Sequence, residues 1–163
     1  MRKIFIFLAA FSACLLAGCG FHLPQQAELP PEMSVVGLEI QNPDSDFARR
    51  LYILLEQNGA NVVEDGSETS VLLVPLNRVR KEILTIGDNA RVREYRLRHT
   101  VEFSLVGPGG NVLVPQQTLE QTRVISFDEQ DILGAAQEDE QLRREMADTL
   151  ARLMLRRLGA TGS

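Results

Sequence analysis

An α+β fold is predicted, a two-layer sandwich with two helices packed on one face of a four-stranded, mostly antiparallel sheet. Three observations predict it. Apolar residues recur at helical spacing twice, from Phe47 to Leu55 and from Leu142 to Met154. Between these runs lie three long stretches that read as strands. The glycine-rich segment Gly107-Pro108-Gly109-Gly110-Asn111 joins two of them as a hairpin, and hairpins pair strands antiparallel.

The first strand is expected at Val35–Ile40, where Val36, Leu38 and Ile40 alternate with Gly37 and Glu39. A helix separates it from the second strand, so its pairing direction stays open. Asn42-Pro43-Asp44 ends the strand, and Asp44 or Ser45 caps the helix that follows. Phe47, Leu51, Leu54 and Leu55 share one helical face, and Asn58-Gly59 stops it. The nearly unbroken apolar run Val71 to Pro75 is the pattern of a strand buried on both sides, continuing through Arg78-Val79-Arg80-Lys81 to Leu84. After a turn at Gly87-Asp88-Asn89, Tyr95, Leu97, His99, Val101, Phe103 and Leu105 share one face of a third strand. Glu94, Arg96, Arg98, Thr100, Glu102 and Ser104 share the other. The fourth strand, Val112 to Phe127, alternates imperfectly, and a bulge near Pro115 would account for that. The closing helix is expected from about Asp139 to a stop at Gly159, with Leu142, Met146, Leu150, Leu153 and Met154 inward and Arg143, Arg144, Arg152 and Arg156 outward.

Ahead of this domain, Arg2 and Lys3 precede an apolar stretch from Ile4 to Leu16, and Leu16-Ala17-Gly18-Cys19 looks like the lipobox of a bacterial lipoprotein. The stretch is too short to span a bilayer, which takes about 20 apolar residues. Residues 1–18 are therefore expected to be a signal peptide, 19–32 a lipidated tether containing Pro30-Pro31, and 33–163 a single domain. Cys19 is the expected lipidation site. With Cys14 removed and Cys19 acylated, no thiol remains for a disulfide, and the fold must rest on packing. Resemblance to bacterial lipoproteins implies three acyl chains, and Gly20 after the cysteine implies the outer membrane.

The mature chain carries 15 basic and 22 acidic residues, a net charge of −7, which argues against nucleic acid as a partner. The cations are unevenly placed. Seven of the 15 lie between Arg78 and Arg98, against three acids. Adjacent strands would bring Arg78, Arg80 and Lys81 near Arg91 and Arg93, and such a cluster suits phosphate or carboxylate; cross-strand pairing with Glu82, Glu94 and Glu102 is the alternative. Catalysis finds no support. The two histidines, His22 and His99, have no evident nucleophile beside them, no short-spaced Cys, His or carboxylate set suits zinc, and no cofactor is implied.

Cys19-Gly20-Phe21-His22-Leu23, Glu94-Tyr95-Arg96-Leu97, Ser126-Phe127-Asp128 and Asp139-Glu140-Gln141 with Arg144-Glu145-Met146 occur in an order that resembles the LptE (RlpB) family of LPS-assembly lipoproteins. The resemblance implies an outer-membrane lipoprotein that plugs and assists assembly of the LptD β-barrel, in a 1:1 complex. It also implies lipopolysaccharide binding and delivery to the outer leaflet. On that reading Arg78, Arg80, Lys81, Arg91 and Arg93 are candidates for the glycolipid, and Arg96, Arg98 and Thr100 for the barrel interface. A periplasm-facing scaffold that binds peptidoglycan or another envelope protein is the alternative.

Overall fold

The computed structural model describes residues 29–63, 68–86, 92–126 and 132–160. A 3-10 turn at Pro31–Met33 leads into β1 (Val35–Ile40), α1 (Asp46–Gln57), β2 (Asn61–Val63), β3 (Ser70–Ile86), β4 (Val92–Val106), β5 (Val112–Ser126) and α2 (Ile132–Ala160). The sheet has five strands in the order β2-β1-β3-β4-β5 rather than four. The additional strand, β2, is three residues long, too short for alternation to mark it. It lies parallel to β1, which is also parallel to β3, while β3-β4 and β4-β5 are antiparallel. The order β1-α1-β2 is thus a crossover unit at the edge of an antiparallel meander.

Ser45 caps α1 by accepting from the Ala48 amide at 3.1 Å, and Gly59 leaves it with φ +87°, a conformation that favours glycine. Both helices lie on one face of the sheet. Val71 to Leu73 is not buried on both sides, because no described element covers the other face: Leu72 is buried toward the helices, while Val71 and Leu73 are half-buried behind. The expected bulge is present, since Gln117 pairs with Phe103 but Val114 with Leu105. The closing helix starts at Ile132, seven residues before the expected Asp139, and runs through Gly159 to Ala160. Ile132 and Leu133 are 64% and 79% exposed, so the first turns carry no buried stripe by which a sequence pattern would mark them.

β1 ends opposite Val74, whereas β3 continues to Ile86. The molecule therefore has a five-stranded base under α1 and a narrower three-stranded arm covered by the first half of α2. The base core includes Val36, Phe47, Leu51, Leu72, Phe103, Leu150 and Met154, and the arm has a smaller core of Leu97, Ile125 and Met146. Between them lies a polar layer. Buried Asn77 donates from its amide to Gln41 Oε1 (3.0 Å) and from Nδ2 to Ser45 Oγ (2.8 Å) and to the Gln41 carbonyl (3.2 Å). Its Oδ1 faces His99 Nε2 at 2.9 Å, and Phe47 meets the His99 ring edge-on. Since that amide orientation leaves an acceptor toward His99, Nε2 carries the proton and Nδ1, buried without a partner, does not.

Burial first, and then the charge of Arg143, lower the His99 pKa from 6.5 to about 4. The unfolded chain therefore takes up a proton near pH 6.5 that the folded chain refuses until about pH 4, so stability falls as pH drops through that window. Urea unfolding between pH 7 and 4 is expected to show a loss of about 3 kcal/mol from this group, and His99→Gln should flatten that part of the curve.

Candidate functional site

The arm presents two surfaces. On the sheet face away from the helices, β3 contributes Arg78, Arg80 and Glu82, β4 contributes Arg96, Arg98, Thr100 and Glu102, and β5 contributes Thr118, Glu120 and Thr122. Arg80 lies directly opposite Arg98. That like-charge contact is relieved by Glu82, which stands 3.9 Å from Arg98 and 4.0 Å from Arg96, and by Glu120, 3.3 Å from Arg98. Thr100 also donates to Glu120 at 3.5 Å. The expected barrel-facing trio Arg96, Arg98 and Thr100 thus shares one uncovered face. Cross-strand pairing accounts for Arg96 and Arg98; Arg78 and Arg80 are exposed there and meet no acid among the described residues.

The second surface is a cleft of about 390 Å³ between the start of α2 and the helix-side face of the arm. Tyr95 and Ile125 form its floor, and Ile132, Ala135 and Ala136 form its wall. Asp139 organises its charges, accepting from Lys81 at 2.5 Å and from Arg143 one helical turn on. Lys81 also sits 4.4 Å above the Tyr95 ring. Burial raises the Asp139 pKa, but the hydrogen bonds and charges of Arg143 and Lys81 outweigh it, and the carboxyl is held below its usual range.

The five cations proposed for one patch are therefore divided. Arg78 and Arg80 face away from the helices, while Lys81 is turned into the cleft; strand parity, by which successive side chains change face, was the available signal. Arg93 lies on β4, Arg91 and Cys19 lie outside the described residues, and nothing is assigned to their side chains. Sequence reasoning missed Asp139 and Arg143 as a paired unit with Lys81. Arg143 was expected to face solvent, but it is half-buried, because its guanidinium turns into the cleft to meet Asp139. Among the described residues no group of three or more His, Cys, Asp or Glu could hold a metal, and no helix is long and apolar enough to cross a membrane.

Residues 35–158 match the family model described as LptE: Lipopolysaccharide-assembly. The chain belongs to the LptE family. It is 25% identical over 159 residues to the LPS-assembly lipoprotein LptE of Photorhabdus laumondii, covering 96% of this chain and 86% of that one. With the protein of the same name from Pectobacterium atrosepticum it shares 22% over 161 residues, 96% and 85% of the two chains. The crystal structure of a minor lipoprotein from Acinetobacter baumannii superposes with a TM-score of 0.65 at 26% identity, over 78% of this chain and 92% of the other. The solution structure of a lipoprotein B from Nitrosomonas europaea has the same fold, with a TM-score of 0.71 at 24% identity over 86% and 91%. The α+β sandwich is thus the LptE-like fold, and the family's part is in lipopolysaccharide assembly at the envelope.

Asp139→Asn removes the negative charge that neutralises two cations in the cleft. With both cations partly exposed and screened by solvent, a loss of about 1 kcal/mol is expected in urea unfolding at pH 7. Because the folded pKa is depressed, that contribution is present above the ordinary aspartate range and lost as pH falls through the folded value, so the gap between the two proteins should narrow in acid.

Proposed function

We propose that the chain is an outer-membrane lipoprotein anchored through Cys19, cut free of residues 1–18, and held on the tether 19–32. It plugs the LptD β-barrel, assists the barrel's assembly, and binds lipopolysaccharide on its way to the outer leaflet. Family membership over residues 35–158 carries this reading, and the names of the Photorhabdus and Pectobacterium relatives support it. The fold adds physical support. A barrel lumen presents polar side chains, and the uncovered sheet face with Arg78, Arg80, Arg96, Arg98 and Thr100 is polar and partly self-neutralised. Such a face needs no apolar cover, yet it offers hydrogen bonds across a broad, flat area.

For the glycolipid, the supporting feature is the arm end. Exposed Ile132 lines the cleft with Lys81 and Arg143, and exposed Ile83, opposite Tyr95, lies on the same sheet face, so apolar surface stands beside cations. Fatty chains and phosphates require that pairing. Arg93 lies on β4 and Arg91 precedes that strand in sequence, and on this reading they add charge at the same end.

Purification of the tagged chain from outer membranes should retrieve a β-barrel protein in equimolar amount; a chain recovered alone would overturn the plug. Arg91→Glu with Arg93→Glu is expected to weaken lipopolysaccharide binding while leaving the unfolding curve and barrel retention unchanged. Cys19→Ala should abolish acylation, seen by mass spectrometry, and release unassembled protein from membranes.

A further inference from the structure

The charges on the uncovered face of the arm can be followed row by row across the sheet. Arg78 lies opposite Thr100 and then Glu120, Arg80 opposite Arg98 and then Thr122, and Glu82 opposite Arg96. Every acid of these rows is already engaged. Glu82 stands 4.0 Å from Arg96 and 3.9 Å from Arg98, and Glu120 accepts from Arg98 at 3.3 Å and from Thr100 at 3.5 Å. In the next row Glu102 accepts from Gln116 at 2.7 Å. Arg78 and Arg80 are left over, exposed, with no acid in ion-pair reach among the described residues.

Their placement gives that surplus a meaning. Residues two apart on a strand share one face about 6.6 Å from each other, so the two guanidinium groups, on long stems, can close on one anion. Both stand in mid-strand, about 20 Å or more from either end of β3, and the connection after β1 makes its hydrogen bonds to this strand at Asn77. Guarding an open edge accounts for charge here but not for its sign. A glutamate at position 80 would guard equally and would pair with Arg98 across the strands, whereas Arg80 opposes it. An anion from outside the chain relieves that contact.

We propose that Arg78 and Arg80 form a two-guanidinium clamp for one carboxylate on the inner wall of the enclosing barrel, an inference that rests on the plug reading above. The surroundings select a protein carboxylate over a lipid phosphate. The other positions in the two rows of the clamp are Thr100, Glu120, Arg98 and Thr122, which give a fatty chain nothing to lie on. Glu82 and Glu120, on Arg98, repel a doubly charged phosphate more than a single carboxylate. The two arginines then belong to the barrel contact and not to the glycolipid site.

The test uses the assembly purified from outer membranes through the tagged full-length chain. Arg78→Lys and Arg80→Lys, made singly, keep the charge and give a zero-length carbodiimide reagent an amine to join to a touching carboxylate; Arg80→Gln does not. Lys81 beside Asp139 is the internal control. Mass spectrometry is expected to find an amide between position 78 or 80 and an acidic residue of the barrel. Arg78→Glu with Arg80→Glu, its unfolding curve unchanged, should speed loss of the barrel from the immobilised chain about tenfold. Replacing the cross-linked carboxylate by Arg should restore retention. A barrel that is retrieved but cross-links to neither position, or cross-links confined to Glu82 and Glu120 of the same chain, would overturn the clamp and leave the plug standing. So would weaker lipopolysaccharide binding by the double Glu variant with barrel retention unchanged, the result expected of a phosphate site. An unaltered chain that retrieves no barrel overturns both readings.

Discussion

The architecture depends on the hydrogen bonds that meet at Asn77. This residue sits where β1 ends and β3 continues alone, the point at which the sheet narrows from five strands to three. A strand that loses its neighbour exposes a row of backbone groups, and water or another group must satisfy them. Here the β1-α1 connection does so. Gln41 accepts from the Asn77 amide, Asn42 donates to its carbonyl at 3.1 Å, and the Asn77 side chain reaches the Ser45 hydroxyl that caps α1. One residue thus closes the strand edge, seats the helix and, through His99, joins the neighbouring strand. Asn42 takes φ +58° to complete the connection, a conformation asparagine tolerates better than most residues.

That polar layer also divides the packing. On the base side, the cluster spans both helices and all five strands; on the arm side, Leu97, Ile125, Met146 and the half-buried Leu142 are packed under one helix. The thinner core makes ionic contacts more consequential in the arm. Asp139 ties α2 to β3 through Lys81, while in the base Asp148 ties α2 to α1 by accepting from Arg50 and from Arg152 at 2.8 Å. Desolvation raises the Asp148 pKa, and hydrogen bonds and charges from Arg152 and Arg50 more than offset it, as at Asp139. The two aspartates, nine residues apart on α2, fix the helix to different partners along its length.

Much of this was legible in the residues, and the parts that were not share a cause. β4 was readable throughout, because one of its faces is buried from Leu97 to Leu105 and the other is wet, which writes a strict alternation. α1 was readable for the same reason. β2 was not, since a strand of three residues in a parallel edge position has neither length nor hairpin to mark it. The start of α2 was hidden because Ile132 and Leu133 are apolar but exposed, so no period links them to the buried stripe that begins at Leu142. The unity of the cationic patch failed on parity alone. Arg80 and Lys81 are neighbours in the chain and lie on opposite sides of the sheet. Family membership was legible in short segments read in order, while the cleft around Asp139 depends on a contact between β3 and α2 that no local pattern encodes.

The distribution of charge along the strand edges of the arm guards them against a second sheet. From Arg78 to Glu82, β3 has β4 on one side and no described strand on the other, and this stretch carries Arg78, Arg80, Lys81 and Glu82. Charged side chains on an open edge disfavour the approach of a second strand. β5, the opposite edge of the arm, carries Pro115 at its bulge, where the missing N–H weakens any added ladder, and then Glu120 and Arg123. In the base the pattern differs: Leu38 and Ile40 of β1 are apolar on the helix side, and Glu39 points to the other face.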